Sequence, residues 1–68
     1  MLWLDLRGLL APDLLIRMLE AASSLVPGAE LVVVTERRPV HLLPRLLEAG
    51  LNFQTKPRSD GYETRIHR

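Results

Sequence analysis

The chain contains no cysteine. That one absence removes disulfide cross-links, thiolate nucleophiles, persulfides and thiolate metal ligands together. Aromatics are nearly as scarce, with one Trp, one Tyr and one Phe, which leaves little for stacking nucleic-acid bases. The two histidines, His41 and His67, are fewer ligands than a metal site needs, and nothing in their spacing places them together. An excess of one charge is missing as well. A net charge of +1 is too small to point to nucleic acid or an anionic membrane, although the stretch from Lys56 onward holds more basic than acidic residues. No apolar run approaches the length of a membrane span. The opening Met1-Leu2-Trp3-Leu4-Asp5 lacks the basic and apolar regions of a secretory leader. The expectation is a cytoplasmic protein with no membrane partner and no cofactor.

What remains is apolar enough to fold. With 68 residues, 47% of them hydrophobic, the chain supports one domain over residues 1–68. A chain this short buries only roughly 60% of its unfolded surface, and such cores supply about 3–5 kcal/mol without a staple. A homodimer is therefore open.

Leu2, Leu4 and Leu6 alternate with Trp3 and Asp5, the period of a strand with one buried face. Pro12 suits the first position of a helix, because its fixed φ fits and its missing N–H would be unpaired there anyway. In that helix Asp13, Arg17, Glu20 and Ser24 form a polar stripe opposite Leu15, Met18, Leu19, Ala22 and Leu25, and Pro27-Gly28 stops it. Leu31-Val32-Val33-Val34-Thr35 is apolar on both faces, as an interior strand is. Pro39 opens a second, shorter helix in which Leu43, Leu46 and Leu47 oppose His41, Arg45 and Glu48, and Gly50 closes it. Pro44 would cost about 3 kcal/mol in a regular helix interior, so it predicts a kink or a delayed start. Alternation of Leu51, Phe53 and Thr55, the turn Arg58-Ser59-Asp60-Gly61, and alternation of Tyr62, Thr64 and Ile66 make a C-terminal hairpin. The order is βαβαββ. Right-handed crossovers put both helices on one side of the sheet and leave its other face without a helix.

The stretch Leu4-Asp5-Leu6-Arg7-Gly8-Leu9-Leu10-Ala11-Pro12, with Pro27-Gly28, Pro39, Pro44 and Asp60-Gly61-Tyr62, resembles the TusA/SirA-like small sulfur carriers across nearly the whole chain. The resemblance implies an α+β fold: a two-layer α/β sandwich with a mixed four-stranded sheet in the order 1-2-4-3 and two helices on one face. In that family a cysteine precedes the proline, where a helix N-terminus favours its thiolate. Here the position is Ala11. An alanine methyl neither ionises nor holds sulfur, so the chain looks like a cysteine-less branch of uncharacterised domains on the same scaffold.

Several residues are candidates for binding, each with a plainer reading beside it. Arg7 and Asp13, with unpaired N–H groups near Asp13 and Leu14, can receive an anion or a partner's carboxylate. Alternatively Asp13 complements the helix end and Arg7 pairs with Asp5. Arg37, Arg38, His41 and Arg45 cluster along the second helix, either as a patch for an acidic partner or phosphate or as a solvated face. Trp3 points away from the helices and meets either Leu31 and Val33 or Val32 and Val34. It marks an interface or caps the end of the core. Arg65, His67 and Lys56 share the helix-free face. No Ser/His/Asp arrangement, carboxylate pair or thiol supports catalysis. The expectation is a non-catalytic protein-interaction or docking module. The alternative is RNA or another anionic ligand on the open sheet face, with charge and aromatic content speaking against nucleic acid.

Overall fold

The structure is a computed structural model that describes residues 2–10 and 12–68. Its elements run β1 (Leu2–Asp5), α1 (Asp13–Ser23), β2 (Glu30–Thr35), α2 (Leu43–Glu48), β3 (Asn52–Arg58) and β4 (Gly61–His67). The four strands form one sheet in the order β1-β2-β4-β3. β1 runs parallel to β2, and β4 is antiparallel to both β2 and β3. This is the architecture that the alternation, the proline stops and the resemblance imply.

One face of the sheet carries the core. Leu31 and Val33 of β2 and Ile66 of β4 pack with Met18 and Ala22 of α1, Leu46 of α2, and Leu6, Leu25, Leu42 and Leu51 from the connections. Thr55 and Thr64 face each other across β3 and β4 with their hydroxyls 3.0 Å apart. Thr64 thus lies in the sheet's interior with its polar atom satisfied. Arg68 closes the layer by donating to the carbonyls of Ser23 and Leu25 at the end of α1. A cation placed there complements the helix dipole, and α1 has no basic residue of its own in its last turn.

Three expectations change. Leu2 is exposed, at the start of an edge strand. The Leu14 amide is not free: it donates to the Leu10 carbonyl at 3.1 Å, so the turn into α1 already satisfies it. Leu47 is also exposed. Pro44 delays α2 to Leu43, with Pro39 to Leu42 forming a separate turn closed by Leu42 N–H to the Pro39 carbonyl. From that later start the helix turns Leu42 and Leu46 inward and Leu47 out.

The hairpin depends on Gly61. Its φ of +145° belongs to glycine, and a Cβ there would sit 2.2 Å from the Thr35 carbonyl oxygen of β2. Gly50 also has positive φ, +76°, but nothing lies within 4 Å of its would-be Cβ. Gly61→Ala is expected to lower stability by about 2 kcal/mol or more, combining strain with a backbone collision. Gly50→Ala is expected to cost about 1 kcal/mol. Urea unfolding of the two variants measures the difference, and equal losses would show that β4 does not approach Thr35 this closely.

Candidate functional site

Two surfaces bear on function, and physical chemistry separates them. The first lies at the carboxyl ends of the parallel pair β1 and β2, the end at which open α/β sheets place their ligands. There the β1–α1 loop and the segment between β2 and α2 enclose a groove of about 420 Å³. Its floor is apolar, with Leu6, Leu14, Leu15 and Leu42, and its walls are Leu9, Leu10 and Val40. Glu36, Arg37, Arg38 and His41 line the same groove.

Both loops are fixed by their own chemistry. Asp5 Oδ1 accepts the Arg7 N–H at 3.0 Å, a local turn in which a carboxylate holds the backbone two residues on. Leu6 N–H bonds to the Val34 carbonyl at 2.8 Å, and Leu9 N–H to the Leu6 carbonyl at 3.2 Å. On the other side the buried Thr35 hydroxyl donates to the Arg37 carbonyl at 2.7 Å, and Val40 N–H to the Arg38 carbonyl at 2.9 Å. Pro39 is buried between exposed neighbours. These bonds hold the backbone while leaving apolar side chains outside: Leu10 is 80% exposed and Val40 52%.

The second surface is the helix-free face of the sheet. Trp3 pairs with Val32, which selects the face shared with Val34. That face has no helix over it, yet Val32 and Val34 are 0% and 2% exposed. Their neighbours in register are Trp3 and Asp5 on one side and Arg65 and Glu63 on the other. The Arg58 guanidinium lies 5.5 Å over the Trp3 ring, and long side chains close over the valines.

The charges of this face neutralise one another in a chain. Arg7 bonds to Asp5 at 2.8 Å and Asp60 at 2.7 Å, and Asp60 to Arg58 at 2.7 Å. Glu63 is approached by Arg65 at 3.1 Å, Lys56 at 3.7 Å and Arg58 at 3.9 Å, and Arg65 reaches Glu30 at 3.3 Å. Four acids thus meet four bases. The hydrogen bonds from Arg7 are the main reason the Asp5 carboxyl falls from an ordinary 3.8 to about 2, and they push the Arg7 guanidinium higher still. The hydrogen bond from Arg65 holds Glu63 below the usual carboxylate range against the opposing effect of burial. A shallow depression lined by Gln54, Thr55, Lys56 and Arg65 lies here, but its two cations are already engaged.

The candidate residues therefore divide. Arg7 pairs with Asp5, as the plainer reading has it, and also with Asp60. Asp13 is exposed in the first turn of α1 and makes no side-chain cap. Arg38 and His41 join the groove, whereas Arg45 faces Glu48 at 3.9 Å on an exposed helix surface, a pair of little energetic weight. Arg65 belongs to the ion chain. His67 pairs with Glu30 in register, so the length of β2 separates it from the loop carrying His41. No group of metal-ligating side chains occurs among the described residues. Ala11 lies outside the described residues. Sequence reasoning missed Leu9, Leu10 and Val40, although two leucines following a loop glycine and preceding the first helical proline were a visible signal.

If Arg7 sets the ionisation of Asp5, the carboxyl resonance of Asp5 titrates with a midpoint near 2. Because the folded value lies below the ordinary 3.8, the stability it contributes is complete above that pH and is lost as pH falls toward 2. Arg7→Gln is expected to move the midpoint up toward 3.8 and to remove that part of the acid sensitivity. An unchanged midpoint in the variant would refute the pairing.

No helix among the described residues is long and apolar enough to cross a membrane. No curated protein and no solved structure matches the chain. Residues 3–68 match the family described as uncharacterized conserved protein (DUF2249). Because that match covers almost the whole chain, the chain belongs to the DUF2249 family.

Proposed function

We propose that this domain is a non-catalytic docking module on a sulfur-carrier-like scaffold, and that it docks through the groove between the β1–α1 loop and the β2–α2 segment. The observation that carries this reading is the exposure of Leu10 and Val40 on backbone already held by hydrogen bonds. Apolar side chains kept in water on ordered loops favour a partner that covers them, and little loop entropy is lost when it does. The βαβαββ order and the Asp5-Leu6-Arg7-Gly8-Leu9 turn into α1 support the likeness to sulfur carriers. With alanine at position 11 and no cysteine anywhere, the chain has no thiol on which to carry a persulfide.

The helix-free face serves this reading less well. Arg65 and Lys56 are committed to Glu63 and Glu30, which weakens the case for RNA on the sheet. Self-association along β1 has one observation in its favour, an edge strand on which Leu2 and Trp3 are both half exposed. Equilibrium sedimentation that returns the monomer mass at all concentrations removes it.

An anionic apolar dye, 1-anilinonaphthalene-8-sulfonate, tests the groove directly. Amide shifts on titration are expected at Leu9, Leu10, Val40 and His41, and Leu10→Asp is expected to weaken binding about tenfold or more with the urea midpoint unchanged. Shifts confined to Trp3, Val32 and Arg65, or no saturable shifts, would count against the groove as the docking surface.

A further inference from the structure

We infer that the segment received by the groove is an acidic stretch of a protein partner, with a large apolar side chain flanked by carboxylates. This deepens the docking reading and rests on it. The chain distributes its paired and unpaired charges unevenly between its two surfaces. On the helix-free face Arg7, Lys56, Arg58 and Arg65 each have a carboxylate within 4.0 Å. At the groove, Arg37 and Arg38 have none among the described residues, although both are exposed and adjacent on a loop whose backbone is fixed. Glu36 is the one acid lining the groove, and its charge is felt by Arg7 on the opposite loop. The groove thus presents, beside an apolar floor and the single acid Glu36, two guanidinium groups that no carboxylate pairs among the described residues.

That combination selects among anions. Guanidinium groups bind planar carboxylates with paired hydrogen bonds, and holding their backbone in place lowers the cost of ordering them. The apolar floor is what a free phosphate leaves unused. A volume of about 420 Å³ lies within the range of roughly 300–1,000 Å³ typical of sites that bury apolar groups, which suits one or two large side chains. Nucleic acid fits less well, since no Trp, Tyr or Phe lines the groove and His41 is the one ring there on which a base could stack.

The test uses the intact protein and fluorescein-labelled acetylated peptides in which a leucine-phenylalanine pair is flanked on each side by two glutamates. A second peptide carries glutamines in place of the glutamates. Anisotropy at low salt and amide shift mapping are expected to place the acidic peptide at Leu9, Leu10 and Val40, with affinity about tenfold above that of the glutamine peptide. The double variant Arg37→Gln/Arg38→Gln, checked for an unchanged urea midpoint, is expected to erase that difference while leaving the glutamine peptide unaffected. Equal affinity of both peptides in the groove would overturn the acidic preference and leave the docking surface standing. If neither peptide shifted the groove amides, both readings would be overturned. Inorganic phosphate or single-stranded RNA binding at the groove more tightly than the acidic peptide would also overturn the inference.

Discussion

Strand β2 is buried on both faces, although helices cover only one, and the rest of the molecule follows from how its second face is sealed. Leu31 and Val33 lie under α1 and α2. Val32 and Val34 face the other way and are still withdrawn from water. What shields them is a canopy of long side chains held in register on the flanking strands: Trp3 under Arg58, with Arg65 and Glu63 on β4. Isolated exposed ion pairs contribute little, but a connected network fixes the alkyl stems that cover apolar surface. In a chain this small, that covering enlarges the protected interior without adding another layer of backbone.

The same network decides which surface is left for a partner. Because acids and bases on the helix-free face satisfy one another, that face has little unmatched charge to offer, and its accessible apolar area is mainly that of the half-exposed Trp3. The Arg7 bridge to Asp5 and Asp60 also ties the β1–α1 loop to the turn between β3 and β4, so one wall of the groove is anchored to the hairpin. Gly61 lets β4 approach the Thr35 carbonyl, and the Thr35 hydroxyl in turn holds the Arg37 carbonyl on the other wall. Leu10, Val40 and the guanidinium groups of Arg37 and Arg38 thereby meet at one end of the molecule.

The fold was largely legible in the residues. Alternation set the strands, α1 ends at Ser23, a few residues before the Pro27-Gly28 stop, and of the kink or delayed start that Pro44 implied the delayed start is what occurs. The inward-facing residues of α2 were not legible, because Leu42, Leu43, Leu46 and Leu47 satisfy two helical phases and only the actual starting point chooses between them. Nor was the sealing of the helix-free face. Periodicity places Trp3 on that face but leaves open whether Val32 or Val33 joins it, which the register decides, and it cannot show that Arg58, from the far edge strand, will reach the ring. The site was legible in part. Arg38 and His41 were singled out on charge, while the groove's leucines sit in a loop without periodicity, where only the meeting of two distant segments gives them meaning.

Methyl relaxation by a soluble, uncharged gadolinium chelate measures the central claim most directly, since it reports the approach of solvent to each side chain. The account predicts that the methyls of Val32 and Val34, on the face without helices, are as protected as those of Val33, while the methyls of Leu10 and Val40 broaden strongly. Broadening of Val32 and Val34 to the level of Leu10 would contradict it. The sheet would then be open, and its valines would offer a partner an apolar surface as accessible as the groove.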